Sequence, residues 1–557
     1  LPAGVTSYTW FGGLSFFTPE DIFVASGPGS ILDCGSLETV TATFGGLGSP
    51  TLRARALDFG QISFRNTTTI TGGGTGANGG GPFRIERDSD GVYDFSYLET
   101  VTGNGYGVEF MLSDGAFVLP VVTTMTNVRV PLTNAVTFDV PNLVSFSERC
   151  ILTLSNPLSN VITPALTNID RSSIIVSGGV WYTLPAGVTT FTGDGGMGIN
   201  EKRIVFQVSG AGSRIDASSL TTINATFGGL GGISQRFEAL SGGVLDLSNV
   251  TSITGGGSGA NGGGPVDILA NTGSEIDLSA LQTLTGVNNG ARIRPEGGTI
   301  RVTTLDCIRT RIEMTNGGGL TGTSIGLDGT SAIRGAGIIT GDVELAGELS
   351  PDWLISIDGD FTLTADGTYN VDLGGTDLGV DHDYVDVSGA ADIGGTITAQ
   401  LVNGFAVPMD ALFDIVTGDP VTDTATFVDN TGAGLMHVTD VGSISLSASA
   451  AAAPDLVVSS WTVPATALVD QNFAVSFTVI NQGPAVATGS WQDRLFISAD
   501  DTWDGSDPQV GSWNVNGPLA GGGTYTRNLN VRMRATPGTY YLFLINDYNN
   551  TIEEFEG

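Results

Sequence analysis

Apolar and polar residues alternate along most of this chain with the two-residue period of β-strands, in short runs punctuated by Gly, Asn and Asp. Ser213-Arg-Ile-Asp216-Ala-Ser-Ser-Leu220-Thr-Thr-Ile223 is one such stretch. It recurs as Gly243-Val-Leu-Asp246-Leu-Ser-Asn-Val250-Thr-Ser-Ile253 and as Ser274-Glu-Ile-Asp277-Leu-Ser-Ala-Leu281-Gln-Thr-Leu284. The aspartates lie 30 and 31 residues apart. Leu32-Asp33-Cys34 and Tyr93-Asp94-Phe95 occupy matching places nearer the N-terminus. No stretch of helical length carries a 3.6-residue apolar period, so the pattern predicts an all-β chain.

A longer repeat contains these units. Leu1 to Thr6 recurs from Leu184, Ala42 to Gly48 from Ala225, and Ile70 to Pro82 from Ile253, each pair offset by 183 residues. Fixed-period repetition of a short strand unit signals stacked coils, in which each unit buries its apolar side against its neighbours. The expected fold is a right-handed parallel β-helix with about 4.8 Å between coils. A propeller fits worse, because a blade needs four antiparallel strands in about 40–50 residues. Within a coil, the recurring Asp-x-Ser-x-Leu reads as a turn cap, the Asp and Ser bonding nearby backbone N–H groups while Leu faces inward. A calcium or glycan ladder along the same column is the competing reading. The glycine runs Gly72–Gly81 and Gly255–Gly264 lack the Lys-Ser/Thr and helix start of a phosphate loop. They read as excursions from the coil.

From Gly341 the pattern changes to Ile357-Asp-Gly-Asp360-Phe-Thr, Tyr369-Asn-Val-Asp-Leu-Gly-Gly375-Thr, Asp383-Tyr384-Val385, Gly394-Gly395-Thr396, Gly404-Phe405 and Phe413-Asp-Ile-Val-Thr417. This order resembles the C-terminal part of the β-helical passenger domains of autotransporters, with Asp352 standing where such sequences carry Gly. The resemblance implies an exported β-helix and no particular activity. Ala and Ser dominate Ser447–Ala453, a linker ended by Pro454. After it, Phe473–Ile480, Arg494–Ile497, Tyr525–Val531 and Gly538–Ile545 alternate strongly, as in an immunoglobulin-like sandwich. Pro454–Val458, Asn481-Gln482-Gly483, Trp491, Phe496-Ile497-Ser498, Leu519–Gly522, Pro537–Tyr541, Asp547 and Glu553-Glu554 resemble the cell-adhesion-related CARDB domain. The expected divisions are two long repeats, 1–183 and 184–340, then final coils and cap at 341–446, a linker at 447–454, and a CARDB-like module at 455–557.

Composition narrows the chemistry. The chain has 557 residues, 82 of them Gly, and a net charge of −35. Such a field repels nucleic acid and anionic lipid, and favours divalent cations. Lys202 is the single lysine, which nearly excludes lysine-based covalent chemistry. Cys34, Cys150 and Cys307 have neither metal spacing nor a disulfide framework, and read as buried hydrophobes. No apolar run is long enough to span a bilayer. Leu1 falls inside a repeat, so the expectation is a piece of a longer exported bacterial protein, secreted or held at the cell surface.

The best chemical candidate is Asp500-Asp501-Thr502-Trp503-Asp504-Gly505-Ser506-Asp507. Asp500, Asp501, Asp504 and Asp507 offer hard oxygens to Ca²⁺, though Trp503 departs from an EF-hand. The same residues also read as Asx turns, and both readings stand open. Asp381-His382-Asp383 is explained by its strand, and His437 has no evident partner. Arg301, Asp306, Arg309 and Arg311 come nearest to the charged cluster of a polysaccharide lyase or glycosidase. Trp10, Trp181 and Trp353 are candidate sugar platforms if they share a face. The favoured reading names no catalytic residue: a non-enzymatic surface, matrix or adhesion protein, contacting other surface proteins, glycans or copies of itself. A polysaccharide-binding or polysaccharide-degrading protein and a filament or surface-layer subunit are the alternatives.

Overall fold

The computed structural model describes residues 1–2, 4–10, 19–44, 51–74, 81–193, 202–228, 234–257, 264–408, 410–448, 454–483, 485–532 and 536–552. Among them every regular element is a strand. The chain divides into two compact units: Leu1–Asn370 with Asp383–Ile397 and Val416–Thr426, and Val371–His382 with Thr398–Ile415 and Phe427–Gly557.

The first unit is a parallel β-solenoid. Through its repeats each strand pairs in parallel with the strand three places later, so three strands make a coil and three ladders run along the stack. One ladder joins Ser7–Trp10, Thr39–Phe44, Thr69–Gly74, Thr100–Gly103, Thr124–Thr126 and Ser145–Ser147. A second passes through Glu20–Ser26, Leu52–Leu57, Phe83–Arg87 and Val108–Leu112. The third includes Trp181–Thr183, Arg214–Asp216, Val244–Asp246, Glu275–Asp277 and Thr299–Arg301.

Alternation within each strand explains the stack. Val40, Ile70, Val101, Met125 and Phe146 are register partners and all buried, as are Ile215, Leu245, Ile276, Ile300 and Leu320. Each fully buried side chain of this size is worth roughly 1.5–3 kcal/mol of transfer free energy. The aspartates of the recurring unit cap their turns. Asp216, Asp246 and Asp277 accept the N–H of Ser218, Ser248 and Ser279 at 3.1, 3.0 and 2.9 Å. Asp33 and Asp94 do the same for Gly35 and Ser96 at 2.8 and 3.2 Å. At two close approaches between neighbouring coils, matched across the long repeat, only glycine fits. At Gly73 (φ 107°) a Cβ would lie 2.4 Å from the Asn104 carbonyl oxygen, and at its repeat counterpart Gly256 (φ 116°) 2.6 Å from that of Val287. The middles of the two glycine runs, 75–80 and 258–263, lie outside the described residues, as do Glu553 and Glu554.

Cys34, Cys150 and Cys307 are buried free thiols. Burial pushes Cys34 up to about 11 and Cys150 and Cys307 up to about 12, so at pH 8 the reactive thiolate is scarce. Native protein treated with iodoacetamide at pH 8 is expected to stay unmodified by mass spectrometry, with all three sites alkylated only after denaturation.

The second unit contains an antiparallel hairpin, Met436–Thr439 with Ser443–Ser447, and a sandwich of two antiparallel sheets. Leu456–Thr462, Asn472–Asn481 and Thr524–Arg532 form one sheet. Gln509–Asn516, Ser490–Ser498 and Tyr541–Ile545 form the other. Phe473, Val475, Phe477 and Val479 from the first pack with Trp491, Leu495 and Val515 from the second.

Candidate functional site

The sandwich carries a polar frame that sets its loops. Asn481, fully buried, uses its whole amide. Oδ1 accepts the N–H groups of Asp455 (2.8 Å) and Gly483 (3.1 Å), and Nδ2 donates to the carbonyls of Ala485 (2.7 Å) and Leu519 (3.1 Å). Asp547 accepts Thr551 N–H at 3.0 Å and Ile552 N–H at 2.6 Å, which closes the turn after Tyr541–Ile545. Between the sheets, Trp491 Nε1 donates to Tyr525 Oη (3.3 Å), which donates to Asp493 Oδ2 (2.7 Å). Burial raises Asp493 above the usual carboxylate range, opposed by that hydroxyl, and raises Tyr525 as well.

The acidic loop follows Ser490–Ser498. Asp500 Oδ1 accepts the Thr502 N–H (3.0 Å) and hydroxyl (2.8 Å). Asp504 Oδ1 accepts the Ser506 N–H (2.8 Å) and hydroxyl (2.6 Å), and Asp507 Oδ2 accepts the Asp504 N–H (2.9 Å). These bonds from Thr502 and Ser506 hold Asp500 and Asp504 below their ordinary range. Among the described residues no three His, Cys, Asp or Glu side chains converge as a metal site. One carboxylate oxygen each of Asp500, Asp504 and Asp507 is engaged in the loop's own turns. Titration calorimetry with Ca²⁺ is expected to show a dissociation constant no tighter than about 10⁻⁴–10⁻³ M, the range of weak extracellular sites. A micromolar site abolished by Asp504→Ala would instead mean that the turns rearrange around the ion.

Trp503 explains the departure from a calcium loop. Its ring lies 5.7 Å from Phe496 and 6.4 Å from Tyr548, and Phe496 lies 5.5 Å from Tyr548. The Arg494 guanidinium stacks on Tyr548 at 3.9 Å and is steered by Gln492 Oε1 at 2.7 Å. Trp503 remains 42% exposed. The loop thus contributes Trp503 to an aromatic patch beside its carboxylates, with the Arg494 guanidinium over Tyr548. Sequence reasoning missed this patch because Arg494, Phe496, Trp503 and Tyr548 meet only through the pairing of Ser490–Ser498 with Tyr541–Ile545. Period-2 spacing of Arg494 and Phe496 was the available signal.

The other candidates disperse. Arg301 lies in Thr299–Arg301 and pairs with Glu275 at 2.7 Å. Asp306 lies in Thr304–Ile308 opposite Thr283, and Arg311 in Thr310–Met314 opposite Arg292. These strands belong to three separate ladders, and Arg309 sits at the corner between two of them with φ 51°. Trp10 and Trp181 are on different ladders, and Trp181 is capped by Arg214 at 5.5 Å. Trp353 lies on neither of these strands but within Glu348–Asp358. His382 is buried edge-on to Phe413 at 5.4 Å with Nε2 3.1 Å from the Asp414 carbonyl oxygen, and burial lowers its pKa. Asp383 accepts the Trp353 N–H at 3.0 Å. The His437 ring lies against Phe427 at 5.6 Å. No helix among the described residues is long and apolar enough to cross a membrane.

No curated protein matches the chain, and no family match supports the likeness of its repeats to passenger domains. Residues 453–556 match the CARDB family, whose members are cell-adhesion-related Ig-like domains. The sandwich is a CARDB domain, and its presence is compatible with an adhesion role at a surface.

Proposed function

We propose that this is an exported, non-enzymatic surface or matrix protein, in which a β-helical body lends rigidity and the CARDB domain makes contact with other surface proteins or glycans. The observation that carries the reading is the CARDB match together with the exposed Trp503, backed by Phe496, Tyr548 and Arg494, at the tip of that domain. Aromatic and Arg side chains at a loop are the residues that anchor interfaces. The dispersal of Arg301, Asp306 and Arg311 over three ladders supports a role without catalysis. In a stack of coils each unit is hydrogen-bonded to its neighbours, so an opening stays local while the rest of the body persists, which suits a protein exposed to extracellular proteases.

The test is on intact cells that produce the protein. Antibody against the purified chain should label the cell surface or the surrounding matrix, and added protease should remove that label. Binding of the purified chain back to those cells should fall at least tenfold for Trp503→Ala. A label seen only after the cells are opened would reject the reading.

A further inference from the structure

The first ladder of the solenoid carries an unusual outward surface. Ser7, Thr39, Thr69, Thr100, Thr124 and Ser145 are register partners in one outward column. Thr9, Thr41, Thr71, Thr102, Thr126 and Ser147 form a second column two residues along. The residues between them face inward, and both columns consist of Thr and Ser alone, exposed or half-buried except Ser147 on the sixth rung, which is buried. A rung with Asn168 and Asp170 follows, and then the array resumes as Thr190, Thr222, Ser252 and Thr283 beside Thr192, Asn224, Thr254 and Thr285. Asp306 and Ile308 end it.

Three features set this face apart. In a chain of net charge −35, the two six-rung columns contain no charge. The second ladder, by contrast, is studded with ion pairs such as Arg53–Asp21, Arg55–Glu86 and Arg84–Glu109. The columns also contain no aromatic side chain: Tyr8 and Phe146 lie on the inward positions between them. Finally, the six rungs from Ser7–Trp10 to Ser145–Ser147 pair without a register shift, whereas the second ladder shifts by a residue between Asp21 and Phe23 and again between Ile204 and Phe206. Rungs therefore stay in line, and hydroxyls of neighbouring rungs come close, Thr100 Oγ1 donating to Thr69 Oγ1 at 3.1 Å.

The result is a two-dimensional grid of hydroxyls and methyls. Its spacings are those of the sheet, about 4.8 Å between rungs and about 6.6 Å between alternate residues of a strand. A charged ligand finds no counter-charge there, and a sugar finds no ring to stack on. The partner that fits is a crystal surface presenting uncharged donors and acceptors at matching intervals in two directions. Ice does so: one axis of its lattice repeats at close to the rung spacing, and a perpendicular axis at slightly more than the alternate-residue spacing. Single Thr–water contacts are weak, but rungs held in register by the ladder engage together, so each contact after the first is intramolecular.

We propose that the Thr/Ser face of the solenoid binds the surface of ice. This goes beyond the contact role of the CARDB domain and stands or falls separately from it. The test uses the full chain, slowly frozen onto a cold finger, with the protein in the ice fraction compared with an inert protein of similar size. Wild type should be enriched in the ice. Thr69→Tyr and Thr100→Tyr, which put a bulky ring into the grid, should fall to the inert level. Gln61→Tyr, an exposed site on the strand Gln61–Ser63 of another sheet, should remain enriched. Matching circular dichroism and melting curves for the variants would exclude misfolding as the cause of a loss. Exclusion of wild type from ice overturns the proposal, and so does equal enrichment of all variants. Retention of wild type on crystalline chitin or cellulose together with exclusion from ice would overturn it in favour of an ordered glycan.

Discussion

Asp267→Arg is expected to cost the solenoid about 3–5 kcal/mol, and adding Arg292→Glu to recover a substantial part of that loss. Asp267 points outward on the second ladder yet is 1% exposed. Its Oδ2 meets Arg294 at 3.0 Å, Arg292 at 3.3 Å and Arg236 at 3.5 Å. Arg236 also reaches Glu238 at 2.7 Å, Arg292 reaches Glu313 at 3.5 Å, and Arg294 pairs with Glu296. Removing the central carboxylate leaves three guanidiniums facing one another with their side chains only 20–26% exposed. Each keeps one carboxylate, on Glu238, Glu313 or Glu296, but the introduced arginine adds a fourth cation to them, and a partly buried cluster with excess like charge is the costly case. The repeat itself supplies the rescue. The positions equivalent to 267 and 292 in the first repeat are Arg84 and Glu109, register partners that pair at 2.7 Å with the charges reversed. The double variant copies that arrangement. Stacked repeats open locally rather than all at once, so hydrogen exchange of Val266–Asn271 and Ala291–Glu296 is the right measurement. Faster exchange in the single variant should be partly reversed in the double. No recovery would mean that Arg236 and Arg294, rather than the pair itself, dictate the sign required at position 267.

How much of this was legible beforehand depends on which interaction one asks about. The inward residues Ile215, Leu245 and Ile276 could be read from alternation and a repeat of 30–31 residues, because burial imposes a period that composition cannot hide. The Asp caps were legible for the same local reason, the carboxylate of Asp216 bonding only two residues ahead. What escaped is whatever depends on where a coil turns. Arg301, Asp306 and Arg311 are close in sequence, yet corners separate them onto three ladders. One corner is made by Arg309 in a left-handed conformation that Gly or Asn adopts far more readily. The reversed charges at Arg84 and Asp267 are equally silent in a single sequence, since either sign suits an outward position until its register partner is known. Trp503 was visible only as an exception to a metal loop. Its reason lies in Phe496 and Tyr548, and Tyr548 comes from a turn far along the chain.

In the CARDB domain the largest single loss is expected for Trp491→Ala, about 3–5 kcal/mol. The indole is 3% exposed among Phe473, Phe477, Leu495 and Val531, and its N–H holds the hydroxyl that in turn bonds Asp493. A domain of this size is commonly stable by only about 5–15 kcal/mol, so the variant should lose a large part of that margin and unfold at a clearly lower denaturant concentration. Tyr525→Phe separates packing from polarity. It keeps the ring 6.1 Å from Trp491 but strips Asp493 of its donor, at a cost of about 1–3 kcal/mol. The pH dependence tells the two losses apart. Burial raises the folded-state pKa of Asp493 above its unfolded value, so between those two values the native state holds the extra proton. The contribution of this group to stability is therefore greatest below its unfolded pKa and declines as pH rises through the folded one. The Tyr525 hydroxyl favours the charged form, so removing it should raise that pKa further and widen the window of decline. Asp493→Asn should abolish the decline while keeping an acceptor for Tyr525. Chemical unfolding of each variant across the acid range, followed by hydrogen exchange in Asn472–Asn481, measures these slopes. A Tyr525→Phe profile parallel to wild type would show that Asp493 draws its stabilisation from elsewhere, and the Trp491 loss would then be one of packing alone.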